Sequence, residues 1–115
     1  MESREELMLL KQIESHDLLE NLIQQITKDA DLAGAIFACG KNVSVKELVH
    51  KLYVFLFELI TTDFGTYLNF LYRVDIPERA IKSITEIESE LIVKKVTLMV
   101  LQREWQKVWL RNKNQ

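Results

Sequence analysis

Residues 85–111 read TEIESELIVKKVTLMVLQREWQKVWLR, and the fold turns on them. Ile84, Ile87, Leu91, Leu98, Leu101, Trp105 and Val108 recur in steps of three and four, with one step of seven. Such steps draw a single apolar stripe down a helix, because 3.6 residues complete a turn. Lys94 interrupts the stripe, which argues against a coiled-coil seam. A second stripe, Ile92, Val96, Met99 and Val100, faces well away from the first. A helix that is apolar on two sides must be covered on two sides. The stretch is therefore expected to be one long helix, wrapped by other helices of the chain or by a partner chain.

The rest of the composition supports that frame. A chain of 115 residues has the length of one domain, so a single helical domain over 1–115 is expected. With 48% hydrophobic and 28% charged residues, the chain has ordinary globular usage and can form a core. One proline and three glycines leave few places to stop a helix. An irregular all-α bundle of five or six helices fits that shortage, and a sandwich with a turn every ten or so residues does not. Cys39 is the only cysteine, so no disulfide forms within one chain, which suits a reducing compartment. Glu2, Arg4, Glu5 and Glu6 precede only a short apolar patch with no small-residue cleavage site, unlike a secretory signal. No uncharged run approaches the roughly 18 residues of a membrane span. The expected location is the cytoplasm.

Toward the N-terminus, Leu7, Leu9, Leu10 and Ile13 cluster on one side of a helix. Leu18, Leu19, Leu22, Ile23 and Ile26 cluster on nearly the opposite side. The phase breaks over residues 14–17, where Asp17 and Glu20 have capping-box spacing. A helix break is expected there; a continuous helix touching two neighbours is the alternative. Gly34 suits the end of the second helix. Ile36 and Phe37 are expected in the core. Ser44 and Glu47 form another capping box, opening a helix to about residue 61 with Val45, Leu48, Val49, Leu52, Leu56, Leu59 and Ile60 as its core face. Val54 and Phe57 fall on its polar side and call for cover. Asp63 is positioned to cap a further helix with Phe64, Leu68, Leu71 and Tyr72 on one side. Pro77 ends it and opens a short helix or a single turn over residues 79–83, and Thr85 with Glu88 has the spacing to launch the long helix.

Residues 69–78 read NFLYRVDIPE. This stretch resembles small helical bacterial proteins that carry no assigned function. The resemblance covers about a tenth of the chain, contains no chemical motif and implies a bacterial source.

Chemistry is sparse. Gly40-Lys41 lacks the rest of a phosphate-binding loop. Glu47 and His50 have the spacing of a two-ligand helix face, but no second pair completes a metal site and Glu47 already serves as a cap. His16 and Glu20 lie one turn apart, as a surface pair does more often than an acid–base pair. Cys39 has no adjacent base and reads as a small buried hydrophobe. No catalytic residue, metal ligand or cofactor is expected.

Charge is distributed unevenly about a net of −2. Residues 1–31 hold eight acids against Arg4, Lys11 and Lys28. Residues 91–115 hold Lys94, Lys95, Arg103, Lys107, Arg111 and Lys113 against Glu104 alone. Either the two ends of the chain lie side by side, which is the favoured reading, or the basic end meets an acidic partner. Trp105 and Trp109 stack one turn apart, and so do Arg103, Lys107 and Arg111. The favoured reading puts the indoles in the core and the cations outside. A basic face for anionic membrane or nucleic acid is the alternative. The expectation is a non-catalytic interaction or adaptor protein, a homodimer or a binder of another protein. Val54, Phe57, Arg103, Lys107 and Arg111 are its candidate partner contacts.

Overall fold

The computed structural model describes residues 3–113. Glu2, counted among the N-terminal acids, lies outside them. Six helices follow one another: α1 (Arg4–Glu14), α2 (Leu19–Leu32), α3 (Val45–Thr62), α4 (Phe64–Val74), α5 (Glu78–Lys82) and α6 (Ser89–Lys113). No strand occurs among the described residues. The architecture is the expected all-α bundle around a long C-terminal helix. α6 packs chiefly on α3 and α2 and also touches α1 and α4, while α4 bridges α2 and α3. The radius of gyration is 13.5 Å, against about 13 Å for a globular chain of this length.

Local chemistry sets most boundaries. Ser44 Oγ accepts from the Glu47 N–H at 3.1 Å, and Glu47 Oε1 accepts from the Ser44 N–H at 3.2 Å. That reciprocal pair satisfies two donors the first turn leaves orphaned. Asp63 caps α4 by accepting from the Thr66 N–H at 3.2 Å and the Thr66 hydroxyl at 2.7 Å. Those bonds from Thr66 hold the exposed Asp63 carboxyl below its ordinary pKa. α2 ends at Gly34, whose φ of +87° lets the Ala35 N–H reach back to the Ala30 carbonyl at 2.9 Å. Asp75 performs the same reversal after α4 at a φ of +75°, a region that glycine usually fills.

Two expected caps are not used. The break between α1 and α2 falls where expected, but Leu18 rather than Asp17 precedes α2, and it makes no side-chain cap. α6 begins at Ser89, so the Thr85–Glu88 spacing launches nothing. Residues 84–88 run as a loop, tied back by Glu86 to Lys95 at 2.6 Å.

The core corrects the phase of α6. Its buried residues are Val93, Val96, Thr97, Val100, Leu101, Glu104, Trp105 and Val108, repeating in steps of three and one that keep one face. The C-terminal half of the expected main stripe, Leu101, Trp105 and Val108, lies on that face. Its N-terminal half does not: Ile87 is 93% exposed and Leu91 is exposed as well. Val96 and Val100, from the second stripe, are buried instead. α3, whose buried row is Leu48, Leu52 and Leu56, is the helix that α6 packs on most. Phe37 is buried, but Ile36 is 85% exposed, so only one of that pair enters the core. Phe37, Phe55 and Phe70 form an edge-on aromatic chain with centroids 5.3 and 5.2 Å apart, which joins the loop after α2 to α3 and α4. On α4 the buried side is Tyr67, Phe70, Leu71 and Val74, leaving Phe64, Leu68 and Tyr72 outside.

Candidate functional site

The chemically unusual place in the molecule is the seam between α2 and α6. Glu104 is 0% exposed, in register with Val100, Leu101 and Val108 on the core face of α6. Asp29, also buried, comes from α2, one turn after Gln25. Lys107 stands one turn after Glu104. Its Nζ donates to Asp29 Oδ2 at 2.7 Å and lies 2.6 Å from Glu104 Oε1. Gln25 Nε2 donates to the same Asp29 oxygen at 3.1 Å. Arg111 Nη2 donates to Gln25 Oε1 at 2.8 Å and closes the row. Apart from that Lys107 contact, neither carboxyl oxygen of Glu104 has a hydrogen-bond partner.

These contacts divide the two acids. Burial raises the Asp29 carboxyl, but hydrogen bonds from Glu104, Lys107 and Gln25, with the Lys107 charge, outweigh it and leave Asp29 below its ordinary pKa. Burial, then the Asp29 carboxyl beside it, push Glu104 up to about 9 against the pull of Lys107. The two shifts run in opposite directions, Asp29 toward the carboxylate and Glu104 toward the acid. Two open grooves flank α6, of about 780 and 630 Å³. The first has Trp105, Trp109, Met8 and Leu9 among its walls, and the second Ile76, Pro77, Met99 and Arg103; neither is lined by Asp29 or Glu104.

The residues singled out as partner contacts are placed as follows. Lys107 and Arg111 belong to the seam just described. Arg103 Nη2 donates to Asp75 Oδ2 at 2.9 Å and ties α6 to the end of α4. Val54 is exposed on the outer flank of α3, and Phe57 is half-buried against Tyr53 with ring centroids 6.1 Å apart. The cations and the apolar pair are thus held by different neighbours. His16, read as a surface partner of Glu20, instead sets its ring 4.6 Å from Trp109 and 5.7 Å from Trp105. Its Nδ1 lies 2.8 Å from the Gln12 carbonyl oxygen. His50 is exposed and Glu47 is occupied as a cap. No group of three or more His, Cys, Asp or Glu suited to a metal occurs among the described residues. Cys39 is buried, and burial pushes its thiol up, away from the reactive thiolate.

Sequence reasoning passed over Gln25, Asp29 and Glu104. A signal was present. Glu104 fits the spacing of Leu101, Trp105 and Val108, and Gln25 with Asp29 flanks Leu22 and Ile26 at one-turn steps. An acid in step with a core stripe is the trace such a pair leaves.

Comparison with protein-family models, with curated proteins and with solved structures finds no significant match. No helix of the described residues is long and apolar enough to cross a membrane.

Proposed function

We propose that this is a non-catalytic contact protein of the bacterial cytoplasm that pairs with a second copy of itself through the outer face of α4. One observation carries the reading. Phe64, Leu68 and Tyr72 follow one another at four-residue steps along α4, and all three are exposed, Tyr72 at 79%. They make an apolar row about 12 Å long at 1.5 Å per residue. Arg73 is the one charged residue of the helix. A row with so little charge has little to select an oppositely charged partner, and it suits its own antiparallel copy across a two-fold axis. The resemblance of residues 69–78 to small bacterial helical proteins supports the source, and the lone buried Cys39 supports a reducing compartment. The non-catalytic part rests on the acid pair lying away from both grooves.

Light scattering at micromolar concentration should return twice the chain mass of 13.5 kDa. Leu68→Glu should return the single mass, still folded, with a melt that no longer depends on protein concentration. A monomer at the highest concentration reached by the unmodified chain would remove the self-pairing reading.

A further inference from the structure

The α2–α6 seam holds two acids against one ammonium that faces both. Lys107 lies within 2.7 Å of an oxygen of each. Arg111, the next cation along, donates to the Gln25 amide rather than to either acid. With both acids ionised, the acids and Lys107 would carry a net charge of −1, with Glu104 fully buried and the Asp29 side chain only 6% exposed. One proton makes that group neutral. The hydrogen bonds say where the proton goes. Gln25 and Lys107 both donate to Asp29, whereas Glu104, fully buried, has only the shared Lys107 ammonium beside it, 2.6 Å from Oε1 and without a hydrogen bond of ordinary geometry. A fully buried carboxylate that must share its one cation with a second carboxylate is costlier ionised than as the acid. Asp29 from α2 and Lys107 from α6 are the charged groups acting on Glu104; α1, α3 and α4, also packed on α6, bring none that acts on it.

We propose that Glu104 is a proton latch: the fold takes up one proton in the α2–α6 seam, and losing it frees the C-terminal half of α6 from α2. The half nearer Ser89 keeps its own buried residues, Val93, Val96 and Val100, none of which belongs to the acid pair, so the opening proposed is local. The sign follows from the direction of the shift. Glu104 is raised from 4.5 to about 9 on folding. Its contribution to stability is complete below the unfolded value and is lost as pH rises toward the folded one. Asp29 acts oppositely and lower: its contribution is present above 3.8 and is lost as pH falls through its depressed value. Cys39 and Tyr67, both raised by burial from 9.0 and 10.0, add a loss only in more alkaline solution. The window from about pH 5 to 8.5 therefore isolates Glu104 when the chain is compared with Glu104→Gln.

Denaturant unfolding of the full chain across that window should show the unfolding constant rising about tenfold per pH unit more steeply than in Glu104→Gln. Should Glu104→Gln fail to fold, carbon-13 detection of the Glu104 carboxyl in the unmodified chain decides the matter. A carboxyl still protonated at pH 7 supports the latch, and one that titrates in the ordinary carboxylate range overturns it. Equal pH slopes in the two proteins also overturn it. Amide exchange, corrected for intrinsic base catalysis, should accelerate over residues 104–113 before residues 93–100 as pH passes about 9. Uniform acceleration would remove the local opening.

Discussion

Trp105 sits at 4% exposure between Leu101 and Val108, with His16 tilted over its ring and Trp109 6.2 Å away. Truncation to Ala should cost about 3–5 kcal/mol, a large share of the roughly 5–15 kcal/mol that holds a small domain. A urea melt of Trp105→Ala reads the loss, and iodide should quench the half-buried Trp109 before Trp105. Asp29 is a different case, because its loss leaves a second acid at hand. In Asp29→Asn, Glu104 loses the neighbour that raises it and becomes the only acid beside Lys107. The variant should be destabilised by about 1–3 kcal/mol, below the roughly 3–5 kcal/mol of breaking a buried pair with no substitute. The Glu104 carboxyl should then titrate at lower pH than in the unmodified chain. A titration left where it was would show that Asp29 does not act on it.

Among the elements, α3 is the one whose start is written most clearly in its own residues. Ser44→Ala removes the acceptor for the Glu47 N–H and should cost about 1 kcal/mol by denaturant melt. The end of α2 tests backbone strain without packing, since a Cβ at Gly34 would meet nothing within 4 Å. Gly34→Ala should cost about 1–2 kcal/mol through its left-handed φ alone, and Gly34→Asn less. An equal loss for the two would point to packing rather than to φ. α4 was legible as a helix, with its Asp63 start and Pro77 stop, but not in its orientation. Phe64, Leu68, Leu71 and Tyr72 lie close enough in phase to read as one side, yet Leu71 is buried and the other three face out. Eleven residues with a single charge leave the apolar arc too broad to show which edge meets the core.

For the whole molecule, the opposite charge of the two ends meets in one ion pair among the described residues, Lys107 with Asp29. Lys107 reaches Asp29, Arg111 reaches Gln25, and Arg103 reaches the end of α4 at Asp75. Exchanging the three cations for Gln should therefore lower the melting temperature. It should leave no salt-dependent affinity for nucleic acid or anionic vesicles to be lost, because the unmodified chain should show none at low salt. Binding that falls steeply with added salt would restore the polyanion reading. Self-pairing through α4 is independent of that outcome, since the Phe64–Leu68–Tyr72 row and these cations lie on different helices.

The residues by themselves determined the all-α class, the break between the first two helices, the Ser44, Asp63 and Gly34 ends, and the burial of Trp105. Each of these depends on interactions within a few positions, or on a stripe that one helix defines alone. Tertiary structure alone decided the rotation of the N-terminal half of α6 and the exposed row on α4. It also decided the meeting of Asp29 with Glu104. Apolar residues lie on several sides of α6, so its own pattern names no preferred face; packing on α3 and α2 chooses one. The acid pair joins residues 75 positions apart, and no local spacing records which two stripes will be pressed together.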